Sequence, residues 1–365
     1  MSERLRARDV IAVESRISSI VDDTLAYRGI SIETLFAHST FEEAAFLLWF
    51  GKLPSQSELA AFHRRIAETP PAGSIAHTLV HASAPGGVTR SLEAGVLGLG
   101  LRQPSGNDAI ALPMQMLAGL PDVVAHFDRL RRGLPVAPFT AGDSIAARFL
   151  AAWRGRDPLP TETHSFDRGL ILIADHELNA STFAARVAAS TGADLVSVML
   201  AAVATQSGPL HGGAMVDVGM LLRTAVDADP VTEIERRLAA GQKIPGFGHS
   251  VYRLGDPRAA LFRQLAVETT ERGADPRWLD AADRLAQVTT ERIGVPPNLD
   301  LYAAAYWSAL GIPADLFPAV FAVGRVAGWI AHFREQTADN RLIRPRARYV
   351  GRAGEPYVPI EQRGE

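Results

Sequence analysis

Three histidines in this 365-residue chain stand in settings suited to acid–base chemistry. His176 lies in ADHELNASTF, between Asp175 and Glu177. His211 lies in GPLHGGA, and His249 in IPGFGHSVYRLGDPRA. Imidazole titrates near neutrality, and flanking glycines let backbone and a small substrate approach closely. Asp300, in PPNLDLYAAAYWSALGIP, is the one acidic residue of an apolar segment. Desolvation there raises a carboxylate toward the range of a general base. Arg258 follows the His249 motif, Arg325 interrupts the apolar FAVGRVAGWIAHF, and NRLIRPRARYVG gathers Arg341, Arg344, Arg346 and Arg348. Guanidinium pairs with carboxylates in a bidentate fork and keeps its charge. Suppose such a site binds a small dicarboxylate and must remove a proton from a carbon beside a thioester carbonyl. One carboxylate would act as base, one neutral donor would face the developing enol oxygen, and one acid would protonate the acceptor carbonyl.

Taken singly, each residue has a plainer reading. Asp300 caps the helix that follows it, Arg325 reaches a helix carboxylate, RPRAR is a solvated basic patch, and each histidine is an ordinary loop residue. In combination they mark a site. The histidines of the two glycine-rich motifs fall in no Cys/His cluster and no HExxH pair, so no metal is expected. GFGHS is not a phosphate-cradling GxGxxG loop, and neither a GxSxG elbow nor a Walker motif occurs. The 37 basic and 40 acidic residues leave a net charge of −3, which points to neither nucleic acid nor a membrane as partner. There is no cysteine, which removes disulfide and thiol chemistry and fits a reducing compartment. The opening MSERLRARDVIAVESR lacks the apolar stretch of a signal peptide. The apolar 180–205 segment is interrupted by Arg186 and Asp194. The expected location is the cytoplasm.

Helices must carry these groups. HSTFEEAAFLLWFGKLP offers Ser39 or Thr40 as N-cap, an acidic residue three positions on, and Gly51 as stop. PSQSELAAFHRRIAET repeats the scheme with Ser55 and Glu58. DPVTEIERRLAAG and DPRWLDAADRLAQVTTERIG place Asp229 and Asp275 as N-caps, proline at the first helical position, and Gly241 and Gly294 past the ends. A helix start is also expected at Asn179 or Ser181. VIAVESRIS is the best strand candidate, and 101–115 reads as an irregular surface segment. The fold class is all-α with a minor N-terminal sheet.

The quoted motifs, with PNLDLY and YRGISIETLFAHSTFEEAAFLLWFGKLPSQSEL, occur in the order and spacing of a known family. Over nearly the whole chain the sequence resembles citrate synthase. Met215, Val216 and Asp217 stand after HGGA where the family has Asn-Glu-Ala, and Ser250 where arginine is common. PNLDLYAAA replaces PNVDFYSG, and HPM has no counterpart in ASAPGGVTRSLEAG.

The resemblance implies that His211, Asp300 and His249 are catalytic. His211 would donate to the enol oxygen of acetyl-CoA, Asp300 would take the methyl proton, and His249 would protonate the oxaloacetate carbonyl. His176, Arg258 and Arg325 would bind oxaloacetate, with Arg344 supplied across a homodimer interface. Arg253 would meet a CoA phosphate, and Pro245, Gly246 and Gly248 would line the adenine. It further implies a large helical domain of residues 1–212 and 312–365 and a small one of 213–311, closing on a cleft. No cofactor is expected, since acetyl-CoA is a substrate. Two other functions share these residues: a 2-methylcitrate synthase using propionyl-CoA, and a non-catalytic paralogue that binds CoA or a dicarboxylate.

Overall fold

The computed structural model describes residues 11–102, 104, 108–136 and 144–363. Among these the fold is helical, with a single small sheet. Strands β1 (Ser18–Val21), β2 (Thr24–Tyr27) and β3 (Ile30–Ser31) form an antiparallel meander. The helices are α1 (Ile32–His38), α2 (Phe41–Phe50), α3 (Gln56–Glu68), α4 (Gly73–Ser83), α5 (Gly87–Leu101), α6 (Ala111–Arg131), α7 (Ile145–Arg154) and α8 (Pro160–Ile173). They continue as α9 (Ala180–Ser190), α10 (Leu195–Gln206), α11 (Ala214–Asp227), α12 (Pro230–Ala239), α13 (Pro257–Glu271), α14 (Arg277–Ile293), α15 (Leu299–Ala309) and α16 (Phe317–Ala338).

The expected caps largely form. Thr40, rather than Ser39, completes a capping box with Glu43 at α2, and Ser55 does so with Glu58 at α3. Gly51 and Gly294 close α2 and α14 at φ of 77° and 66°. Asp229 sits at the N-cap of α12, but its carboxylate takes Arg284 at 3.0 Å instead of a helix N–H. At α14 the N-cap is Pro276, and Asp275 lies one residue outside, holding the Arg277 N–H at 3.0 Å.

Two expectations are corrected. Most of VIAVESRIS is not a strand: β1 begins only at its last residue, and Ile11 is 91% exposed. The pairing is set by the two-residue turn Asp22–Asp23, both at positive φ, which joins Val21 to Thr24. Residues 111–115 open α6 rather than a loop. Pro113 is tolerated in the first turn, and buried Gln115 donates to the carbonyls of Leu99 and Arg102, the latter at 2.7 Å. Residues 103 and 105–107 of that segment lie outside the described residues.

Helix α16 runs through the core. Among the described residues it alone is long and apolar enough to cross a membrane, and it is almost wholly buried. A Cβ at Gly328 would fall 2.3 Å from the Ala174 carbonyl, so glycine is what lets α16 lie against the chain just before His176. The Gly328 N–H donates to that same carbonyl at 3.1 Å. Helices α11 to α15 pack chiefly on one another, with α13 against α15 the most extensive pairing.

Candidate active site

His176 lies in the turn between α8 and α9, and the N-terminal sheet holds that turn. The Tyr27 hydroxyl meets the Ile171 and Asp175 carbonyls at 2.9 and 3.0 Å. The Asp175 carboxylate takes the Ser18 hydroxyl and the Glu177 N–H and faces His332 at 3.3 Å. Glu177 accepts the Ile20 N–H at 2.5 Å from a φ of 47°. Strand β1 is therefore stitched to both neighbours of His176. The His176 Nε2 meets the Tyr252 hydroxyl at 2.9 Å. Burial, then the charge of Arg258, holds its pKa well below the ordinary value, so the ring is neutral.

His249 sits on a loop that needs two glycines. Gly246 and Gly248 adopt φ of 86° and 76°. The Gly248 N–H donates to the Pro296 carbonyl at 3.1 Å, and Asn298 bonds the carbonyls of Gly246 and Gly248 through its N–H and side-chain amide, both at 2.9 Å. This zips the His249 loop to the start of α15, which carries Asp300. The His249 Nδ1 accepts the backbone N–H groups of Val251 and Tyr252 at 3.0 and 3.3 Å. The neutral ring therefore carries its proton on Nε2. Burial brings its pKa down to about 4, with Arg258 adding to the effect.

Asp300 is not the N-cap. Asn298 is, accepting the Asp300 N–H at 2.9 Å, and Asp300 stands in the first turn. Burial raises its carboxyl to about 6 against the opposing pull of Arg258. Asp256 caps α13 and forks onto Arg258 at 2.9 and 2.7 Å. Burial opposes the charge of Arg258, yet the pairing with Asp256 keeps its pKa above the ordinary value. Arg325 lies in α16, 2% exposed, donating to the Ile173 carbonyl at 2.7 Å. Its pKa falls to about 10 through burial, opposed by Asp175.

His211 occupies the turn between α10 and α11, its N–H on the Gly208 carbonyl at 2.9 Å. Burial, then Arg325, lowers it to about 4. Its Nε2 meets the buried Ser181 hydroxyl at 2.9 Å. That oxygen also accepts from Trp329 at 3.3 Å and donates to the Asn179 side-chain oxygen Oδ1 at 2.8 Å. In this structure the hydroxyl proton is directed at Asn179 Oδ1. Turned to His211 Nε2 instead, it leaves the His211 proton on Nδ1, the arrangement a donor role for His211 requires.

The structure thus joins His176 to the His249 loop through Tyr252, and that loop to the helix of Asp300 through Asn298; His211 meets Ser181, and the charge of Arg325 helps lower its pKa. Arg253 is exposed, its N–H and that of Leu254 held by the Asp23 carboxylate at 2.9 and 3.0 Å. Pro245 and Gly246 precede the His249 turn. Arg344 is exposed in the irregular stretch after α16, outside this network. The sequence marks Ser181 only as a candidate helix start and gives Tyr252 and Asp256 no part in the site. Tyr252, at His249+3, and Ser181, at Asn179+2 on a helix N-terminus, were the available signals. Among the described residues no group of three or more His, Asp or Glu is arranged to hold a metal ion.

Neutral imidazoles, a carboxylate of raised pKa and buried arginines make a set suited to proton transfer beside an anionic ligand. The model of the family described as "Citrate synthase, C-terminal domain" matches residues 6–346. Citrate synthase 2 of Bacillus subtilis is 40% identical, the match covering 97% of each chain. 2-Methylcitrate synthase 2 of Corynebacterium glutamicum is 35% identical over 97% of this chain and 96% of its own. A solved ternary complex of Thermoplasma acidophilum citrate synthase with carboxymethyl coenzyme A and oxaloacetate superposes with a TM-score of 0.87 at 29% identity, covering 97% of this chain and 98% of that one. The chain belongs to the citrate synthase family, and it is an acyl-transferring enzyme.

Proposed function

We propose that this enzyme condenses acetyl-CoA with oxaloacetate to give citrate and CoA, with no cofactor beyond its substrates. His176, Arg258 and Arg325 hold the dicarboxylate, joined by Arg344 of the partner subunit in a homodimer. Asp300 takes a methyl proton while His211 donates to the thioester oxygen, giving a neutral enol. That carbon attacks the oxaloacetate ketone as the enol proton returns to His211, and the new hydroxyl takes the proton of His249 Nε2; during the hydrolysis that follows, water restores that proton to His249 and the proton held by Asp300 leaves with the CoA thiol. Water then cleaves the citryl thioester and releases CoA. Arg253 meets a CoA phosphate, and Pro245, Gly246 and Gly248 line the adenine. Helices α11 to α15, within residues 213–311, form the smaller domain, and residues 1–212 with 312–365 form the larger. Closure between them excludes water from the thioester. The enzyme works in the cytoplasm.

The observation that carries this reading is Asp300: a carboxylate raised by burial to about 6, on a helix bonded to the His249 loop. A base poised near neutrality suits carbon-acid chemistry, and a merely binding paralogue has no use for one. Similarity to 2-methylcitrate synthases supports a second substrate, propionyl-CoA. One methylene in an apolar pocket changes selectivity by only about 1–3 kcal/mol, so turnover of both thioesters at unequal rates is expected. The test measures CoA release from each thioester with and without oxaloacetate. Release that requires oxaloacetate supports the proposal, and a folded enzyme that releases no CoA from either thioester contradicts it.

A further inference from the structure

The Tyr252 hydroxyl lies at hydrogen-bond distance from the Nε2 of His176, 2.9 Å away. The three rings of Tyr252, His176 and His249 pack as a unit. His249 and Tyr252 are 4.6 Å apart, His176 and His249 5.2 Å, and His176 and Tyr252 5.4 Å between centroids. Tyr252 is 6% exposed, so its hydroxyl needs a partner and His176 supplies it. Its backbone N–H, with that of Val251, fixes the ring of His249. The loop is anchored on its far side by the Asp23 carboxylate on the next two N–H groups. One residue therefore touches both histidines assigned to oxaloacetate, one through its hydroxyl and one through its ring and backbone.

We propose that Tyr252 is a positioning residue of the oxaloacetate site, holding His176 through its hydroxyl so that the imidazole meets the dicarboxylate in one orientation. This rests on the reaction assigned above. A phenylalanine keeps the ring packing and removes only the hydroxyl. Without it His176 rotates about its side-chain bonds, and dicarboxylate affinity falls by the worth of one hydrogen bond, about three- to tenfold. The hydroxyl meets His176 and none of the residues assigned to CoA, so KM for acetyl-CoA is expected to hold.

The experiment is a double-mutant cycle on the full-length dimer, with oxaloacetate binding followed by calorimetry and turnover in parallel. Tyr252→Phe is expected to raise Kd and KM for oxaloacetate about three- to tenfold, with KM for acetyl-CoA unchanged. In the His176→Gln background, Tyr252→Phe is expected to add no further loss, because it acts through the missing imidazole. Unchanged oxaloacetate affinity in Tyr252→Phe overturns the proposal. So does an equal loss in both backgrounds, or a parallel loss for acetyl-CoA, each the mark of a general structural effect. A wild-type protein that binds no oxaloacetate and releases no CoA overturns the assigned reaction, and this role with it.

Discussion

Asp300 is the residue on which function and stability oppose each other. Its carboxyl is raised to about 6 by burial, so the folded state holds a proton that the unfolded chain gives up at lower pH. The folded protein is penalised above about pH 6 and not below the ordinary carboxylate range, near 4. Asp300→Asn is therefore expected to stabilise the protein at pH 8 by roughly 1–3 kcal/mol, a gain that fades as pH falls toward 4. Thermal melts across that range check it. The same substitution should lower kcat by about 10²–10⁴-fold while oxaloacetate still binds. The ionic residues at this scale were legible in the sequence because charged side chains among apolar ones are conspicuous. The residues that orient them were not. Ser181 and Tyr252 are ordinary polar residues until folding brings each within 2.9 Å of an imidazole 30 and 76 positions away.

At the scale of elements, the small sheet holds helical loops in place. Strand β1 is bonded to the turn bearing His176, and the tip of its hairpin holds the loop after His249. Asp23→Ala removes two charge-assisted bonds to Arg253 and Leu254 and loosens the loop assigned to CoA. KM for acetyl-CoA should rise several-fold with a smaller change in kcat, as steady-state kinetics will show. An unchanged KM would assign the clasp to folding alone. Capped helices could be read locally, since Thr40–Glu43 and Ser55–Glu58 satisfy their own backbone within one turn. The hairpin could not, because its register depends on a turn of two aspartates in a left-handed conformation and on partners more than 150 residues away.

Across the whole molecule, Arg344 is exposed after α16, and the proposed homodimer would bring it to the neighbouring subunit's site. Arg258→Ala and Arg344→Ala should each inactivate a homodimer. A mixed dimer of the two should regain one intact site, about half the wild-type activity per dimer. Absence of recovery in purified mixed dimers would contradict a shared site. The helical class and the order of motifs were visible from sequence at this scale. The way α16 backs onto the residues before His176 was not, because it depends on one glycine, Gly328, meeting a carbonyl 154 positions earlier.

The central claim is that a thioester methyl carbon, once deprotonated, bonds to a ketone. Acetyl-CoA carrying ¹³C at the methyl group, incubated with oxaloacetate and the enzyme and followed by NMR, tests it directly. The label is expected in a methylene of citrate as CoA is released. Label recovered as free acetate, or thioester left intact by a folded enzyme, would contradict it.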